Sequence, residues 1–173
     1  MKKMIATDQL TVLWARLAEE GPLYLPLQEG PSVIFKPWQE GAQVELEAFN
    51  TVISPKDIFL PREETYLHYR CSGQSLELEP QADEAPVVAF GVHPCDLKAI
   101  EMLDKVFIDQ EPADSLYQQR REKTTVVALS CTTPDPFCFC EAFDVNPLDA
   151  PGADLMGHLV GGNLHLEART EKG

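Results

Sequence analysis

Three things are scarce in this sequence of 173 residues. No apolar stretch approaches the ~20 residues that cross a bilayer, so membrane insertion is not expected. Basic residues are few: 14 Lys and Arg stand against 28 Asp and Glu, a net charge of −14. Such a surface repels nucleic acid and anionic membrane; it suits solubility, or docking to a basic face on a protein. The signatures of common catalysts are missing too, with no GxGxxG, Walker loop, HExxH or GxSxG. No acid–base pair or nucleotide loop is legible, so no catalytic residue is assigned. The opening "MKKMIATDQL" has two lysines but no apolar run behind them, unlike a secretory signal. The expected compartment is the cytoplasm, where disulfides are the exception.

What is present reads as a globular α/β chain, 44% hydrophobic and 24% charged. We expect one domain over 1–173, in three parts: an N-terminal helix within 1–21, a β-rich part over 22–80 and a βαβ part over 86–173. In "TDQLTVLWARLAEEG", Leu10, Leu13, Trp14 and Leu17 recur at helical spacing. Thr7 or Asp8 is the expected cap, and Gly21 the expected left-handed stop. From Pro22 to Tyr69 short β-prone runs ("LYL", "SVIF", "VELEAF", "YLHYR") are broken by Pro and Gly. The prolines argue for edge strands and turns rather than a regular central sheet. "LELEPQADEAP" is acidic and reads as an exposed connector or edge hairpin.

The second half is more regular. "PVVAFGV" and "TTVVALS" are short, fully apolar runs, the mark of strands buried on both faces. Between them "DLKAIEMLDKVF" carries Leu97, Ile100 and Leu103 at helical spacing, and "DSLYQQRRE" is a further helical stretch. Strand, helix, strand in this order predicts a parallel, right-handed βαβ unit. "ADLMGHLVGGNLHLEA" predicts a hairpin turning at Gly161 and Gly162.

Three of the five cysteines crowd into "SCTTPDPFCFCEAF". In an open α/β sheet, ligands gather beyond the carboxyl ends of the parallel strands. The first apolar run ends just before Cys95 and the second just before Cys131, and Cys138 and Cys140 lie on the loop leaving that edge. Four thiols are thus expected at one corner. In extended backbone the thiols of "CFC" would sit about 6.6 Å apart at ~3.3 Å per residue. That is too far for a comfortable disulfide, but it suits two iron atoms of one cuboidal cluster. Phe139 would point away or fold over the cluster, and Pro134 and Pro136 stiffen the loop. Cys95, Cys131, Cys138 and Cys140 fit a [4Fe–4S] cluster, a structural zinc or free buried thiols. Cys71 reads as incidental, and His93 as a hydrogen-bonding loop residue rather than a ligand. Asp96 is the expected cap of a helix starting at Leu97, and Arg120 and Arg121 read as a solvated helix end or as a pair offsetting nearby negative charge.

Taken together, "FGVHPCDLKAIEMLDKVF", "SCTTPDPFCFC" and "GADLMGHLVGG" resemble a known set. They look like the amino-terminal domain of the iron–sulfur beta subunit of cytosolic sulfhydrogenases and of the corresponding electron-transfer subunit of anaerobic sulfite reductases. "SPKDIFLPREETYLHY" is similar to the segment before the first buried strand there, and the likeness covers roughly residues 50 to 162. It implies cluster binding by Cys95, Cys131, Cys138 and Cys140, and electron relay between a flavin-bearing partner and a catalytic subunit. Full-length members continue into a two-cluster ferredoxin module. No CxxCxxC run occurs here, so the chain is expected to be a fragment of a longer protein. The alternative is a non-redox docking domain whose cysteines are empty or hold zinc.

Overall fold

The computed structural model describes residues 1–73, 75–80 and 85–173. The chain opens with strand β1, Lys2–Ala6, where the sequence offered no alternation to read. A single 3₁₀ turn, Thr7–Gln9, leads into helix α1, Leu10–Glu20, which buries Leu10 and Trp14. Neither Thr7 nor Asp8 caps it: Gln9 holds the cap position without a side-chain bond, and the Thr7 hydroxyl donates instead to the Gly162 carbonyl at 2.9 Å. Gly21 ends the helix with φ 167°, an extended rather than left-handed conformation. It is glycine for want of space, since a Cβ there would collide with the Pro86 carbonyl oxygen.

Strands β2, Leu23–Glu29, and β3, Ser32–Pro37, follow as an antiparallel pair. A short helix α2, Lys56–Phe59, precedes a separate hairpin of β4, Leu67–Ser72, and β5, Ser75–Pro80. Most of the acidic "LELEP" therefore forms an exposed hairpin strand, while residues 81–84 lie outside the described residues. The βαβ unit then forms as expected: β6, Val87–Val92; helices α3, Pro94–Phe107, and α4, Ser115–Lys123; and β7, Thr124–Leu129. Asp114 caps α4, its Oδ1 accepting from the Leu116 and Tyr117 amides at 3.1 and 2.9 Å. Strands β8, Leu155–Val160, and β9, Asn163–Ala168, make the final hairpin, and both turn glycines have positive φ, 58° and 75°.

Seven strands form one sheet in the order β1-β9-β8-β7-β6-β2-β3. The middle is parallel, β2 to β6, β6 to β7 and β7 to β8, and the flanks are antiparallel. Among the described residues the β-prone "VELEAF" run supplies one bridge, Val44 to Leu27. β2 is thus an inner strand despite Pro26. Its ladder with β6 involves only Leu23 and Tyr24, so the missing N–H falls where that pairing has ended.

Alternation along β7 splits the core in two. Val126 and Ala128 face one side with Ala89, Val92 and Met156, covered by Leu97, Ile100, Tyr117 and Phe59 of the helices α2 to α4. Val127 and Leu129 face the other side with Phe90 and Leu25, covered by Leu10 and Trp14 of α1. Fully burying one such side chain stabilises by about 1.5–3 kcal/mol. Of the two readings of Arg120 and Arg121, the structure shows the charge-offsetting pair and not the solvated helix end. Arg120 pairs with Glu64 and donates to the Phe59 carbonyl at 3.2 Å, and Arg121 meets Asp104 at 3.0 Å and lies over the Phe59 ring. Among the described residues no helix is long and apolar enough to cross a membrane.

Candidate metal centre

Two neighbouring parallel strands end at the same edge of the sheet, and each hands the chain to a cysteine. After Val92 the backbone passes through His93, the N-cap residue, into α3, with Pro94 at the start and Cys95 in the first turn. The helix therefore begins three residues earlier than its apolar spacing predicts. Asp96 is not its cap but a first-turn acid, whose Oδ1 accepts from Lys56 Nζ at 2.7 Å. That ion pair ties α2 to the start of α3. After Leu129 the backbone is fastened by two bonds, Ser130 N–H to the Gly157 carbonyl at 2.9 Å and Cys131 N–H to the Pro147 carbonyl at 2.8 Å.

Between those anchors the chain makes a self-braced loop. The Asp135 carboxylate accepts from the Phe137 amide at 2.8 Å. The Cys138 amide donates to the Asp135 carbonyl at 2.9 Å, and the Asp135 amide donates to the Cys138 sulfur at 3.4 Å. Cys140 then starts a 3₁₀ turn, Cys140–Phe143, closed by the Val145 amide on the Cys140 carbonyl at 3.0 Å. "CFC" is accordingly not extended: Phe139 takes ψ 33°, and the two thiols are set by a turn instead.

All four of Cys95, Cys131, Cys138 and Cys140 line one cavity of about 270 Å³, walled largely by Phe49, Met102, Phe137, Phe139 and Phe143. None of the five cysteines is paired, and Cys71 lies exposed on β4, away from the cavity. The site's missed members are Lys56, Phe49 and Met102; no spacing rule links them to a cysteine. The loop's phenylalanines turn outward, the first of the two expectations for Phe139. Phe137 is 83% and Phe139 67% exposed, so they rim the cavity rather than seal it.

The electrostatics are those of crowded acids. Part of the Cys95 side chain reaches solvent, yet its packed surroundings and then Asp96, Cys140 and Cys131 push the thiol up to about 11. Burial also raises Cys131, with Cys138 and Cys140 adding to it. Burial lowers His93, opposed in part by Asp96, which favours a neutral imidazole. Among the described residues the ligand atoms of His93, Cys95 and Asp96 lie within 4.8 Å of one another.

This combination defines a class: a mixed α/β sheet with a thiol-lined cavity at the carboxyl edge of its parallel strands. Over 144 residues the chain is similar to sulfhydrogenase 2 subunit beta of Pyrococcus furiosus, with 32% identity, and is its homologue over that stretch. The match takes in 83% of this chain but 41% of that relative's length, so the chain spans about two fifths of it. No family model matches the sequence. No solved structure matches it either.

Proposed function

We propose that this chain is the electron-transfer domain of an iron–sulfur oxidoreductase subunit, in which Cys95, Cys131, Cys138 and Cys140 hold one [4Fe–4S] cluster. The domain passes electrons in the cytoplasm between a flavin-bearing partner and a catalytic subunit of hydrogenase or sulfite reductase type. A ferredoxin module elsewhere in the full-length chain is a further partner. The observation that carries this reading is the convergence of four unpaired thiols, from three separate segments, on one cavity. Its donors suit the group: an amide already aimed at the Cys138 sulfur and the positive end of a 14-residue helix beside Cys95. Likeness to a sulfhydrogenase beta subunit supports the same reading.

Each segment has a defined part. The first turn of α3 offers Cys95, and the Lys56–Asp96 pair beside it holds that turn against α2. The anchored Ser130–Cys131 step fixes the second thiol relative to the sheet. The braced loop supplies the other two. When bound, the cluster supplies one-electron transfer without making bonds to a substrate.

Anaerobic reconstitution with iron and sulfide tests the proposal. The expected product is brown, contains iron and sulfide in equal amounts, and shows a paramagnetic signal on reduction. Cys131→Ala is expected to lose most of the iron, and Cys71→Ala to keep it. Uptake of zinc alone, or equal iron in Cys131→Ala and wild type, would replace the reading with that of a non-redox docking domain.

A further inference from the structure

The loop that carries Cys138 and Cys140 lines the cavity with one side of its phenylalanines and turns apolar surface outward with the other. Phe137 is 83%, Phe139 67% and Phe143 44% exposed, and Phe139 and Phe143 pack against each other with ring centroids 5.7 Å apart. Leu148 adds a further exposed side chain on the same loop, at 52%. An exposed apolar cluster of this kind, bordered by polar groups, marks an interaction site rather than ordinary surface.

The border has one sign. The exposed acids Glu141 and Asp144, with the partly exposed Asp135, stand on the loop among the phenylalanines. Between Lys123 and Arg169 the sequence contains no Lys or Arg at all. Among the described residues, Lys98 lines the cavity and pairs with Glu101 at 3.6 Å, and Lys56 pairs with Asp96 at 2.7 Å. The face is therefore an apolar centre inside an unneutralised acidic rim.

We infer that this face is the docking surface for a redox partner protein whose own electron port is an apolar patch ringed by Lys and Arg. The inference rests on the electron-transfer reading for why a partner comes here; the surface itself rests on exposure and charge. Charge complementarity selects the partner and steers its approach, and the phenylalanines exclude water at contact. An encounter over so small a patch belongs with transient redox complexes that bury less than about 1,200 Å². It should be fast, weak and salt-sensitive. A second copy of this chain is a poor occupant, because two acidic rims would face each other.

The test uses the whole chain without cluster, and cytochrome c, a basic haem protein, as the probe. Affinity is measured by calorimetry at low and moderate salt. Glu141→Lys with Asp144→Asn shifts the charge by +3; Glu19→Lys with Glu20→Gln on α1 makes the same shift on the far face. The rim variant is expected to weaken binding at least tenfold at low salt, and the α1 variant less than twofold. Phe137→Ser is expected to weaken binding severalfold at both salts. Equal losses in the two charge variants, or none in either, overturn the inference. So does a wild-type dimer in sedimentation that Phe137→Ser dissolves, because the occupant is then a second copy. Iron and sulfide content is read separately on reconstituted protein, so failure to bind a cluster and failure to bind the probe are told apart.

Discussion

A thiol's usefulness depends on how hard it is to deprotonate, and the fold makes that harder at Cys95. Packed surroundings strip water from its thiolate, and Asp96, Cys140 and Cys131 add repulsion, raising it from 9.0 to about 11. The sign matters in two ways. The fold grips this proton more tightly than the unfolded chain does. That contribution to stability is intact below pH 9 and is lost as the pH rises through 11. The second consequence is kinetic, because only the thiolate attacks an electrophile. In metal-free protein the iodoacetamide reaction at Cys95, followed by mass spectrometry of its peptide, is expected to quicken about tenfold per pH unit from 7 to 10. A plateau near pH 8 or 9 would mean that the thiol is freely hydrated and the cavity more open than described. Ligation by a metal removes the same proton, so cluster assembly is expected to be more complete at pH 8.5 than at pH 7.

At the scale of elements, the β4–β5 hairpin stands out because it contributes no buried side chain. Every described residue of the two strands is exposed. Their register places Leu67, Tyr69, Cys71, Leu76 and Leu78 on one face and His68, Arg70, Glu77 and Glu79 on the other. An isolated two-stranded hairpin is marginal in water, so the rest of the fold gains little from it. Replacing residues 67–80 by a short Gly/Ser linker, which fits because Leu67 and Pro80 face each other, should move the thermal midpoint by less than about 2 °C. A much larger fall, seen by circular dichroism, would assign the hairpin a structural role. The hairpin's alternation was legible only as short β-prone runs, since a strand buried on neither face carries a weak signal. β6, α3, β7 and the final hairpin were legible because each carries its own evidence: an apolar run, a helical stripe, paired turn glycines. β1 was not, because Lys2–Ala6 becomes a strand only by pairing with Asn163–Glu167. The site divides the same way. Strand ends foretold that Cys95 and Cys131 would meet the 138–140 loop, but the Lys56–Asp96 pair spans 40 residues, and the outward aim of Phe137 is a property of the loop's turns.

The whole molecule carries a conflict between its charge and its compactness. A net charge of −14 on 173 residues opposes folding through self-repulsion. The visible ion pairs offset little of it. Lys2–Glu167, Arg62–Asp57 and Arg169–Asp149 are largely solvent-exposed, and such pairs contribute about 0–1 kcal/mol each. The better shielded Arg120–Glu64 and Arg121–Asp104 pairs are less accessible to screening ions. Added sodium chloride therefore has two opposed effects of unequal size. It weakens a few exposed attractions, and it screens repulsion among an excess of acids, including those of the segment from 124 to 168 that holds no Lys or Arg. The screening length falls from ~30 Å at 0.01 M to ~10 Å at 0.1 M, so most long-range repulsion disappears within that interval. Repulsion outweighs attraction here, and raising the salt from 0.01 to 0.3 M should raise the thermal midpoint of the metal-free chain. For a chain of this size about 1 kcal/mol corresponds to roughly 2–4 °C, so a rise of several degrees is the expected reading. Chloride is the right anion for the measurement, since sulfate would stabilise by surface exclusion and confuse the cause. A midpoint that falls with salt would mean that the exposed pairs outweigh the acidic excess, and the acidic rim around the thiols would then lose its standing as an unneutralised surface.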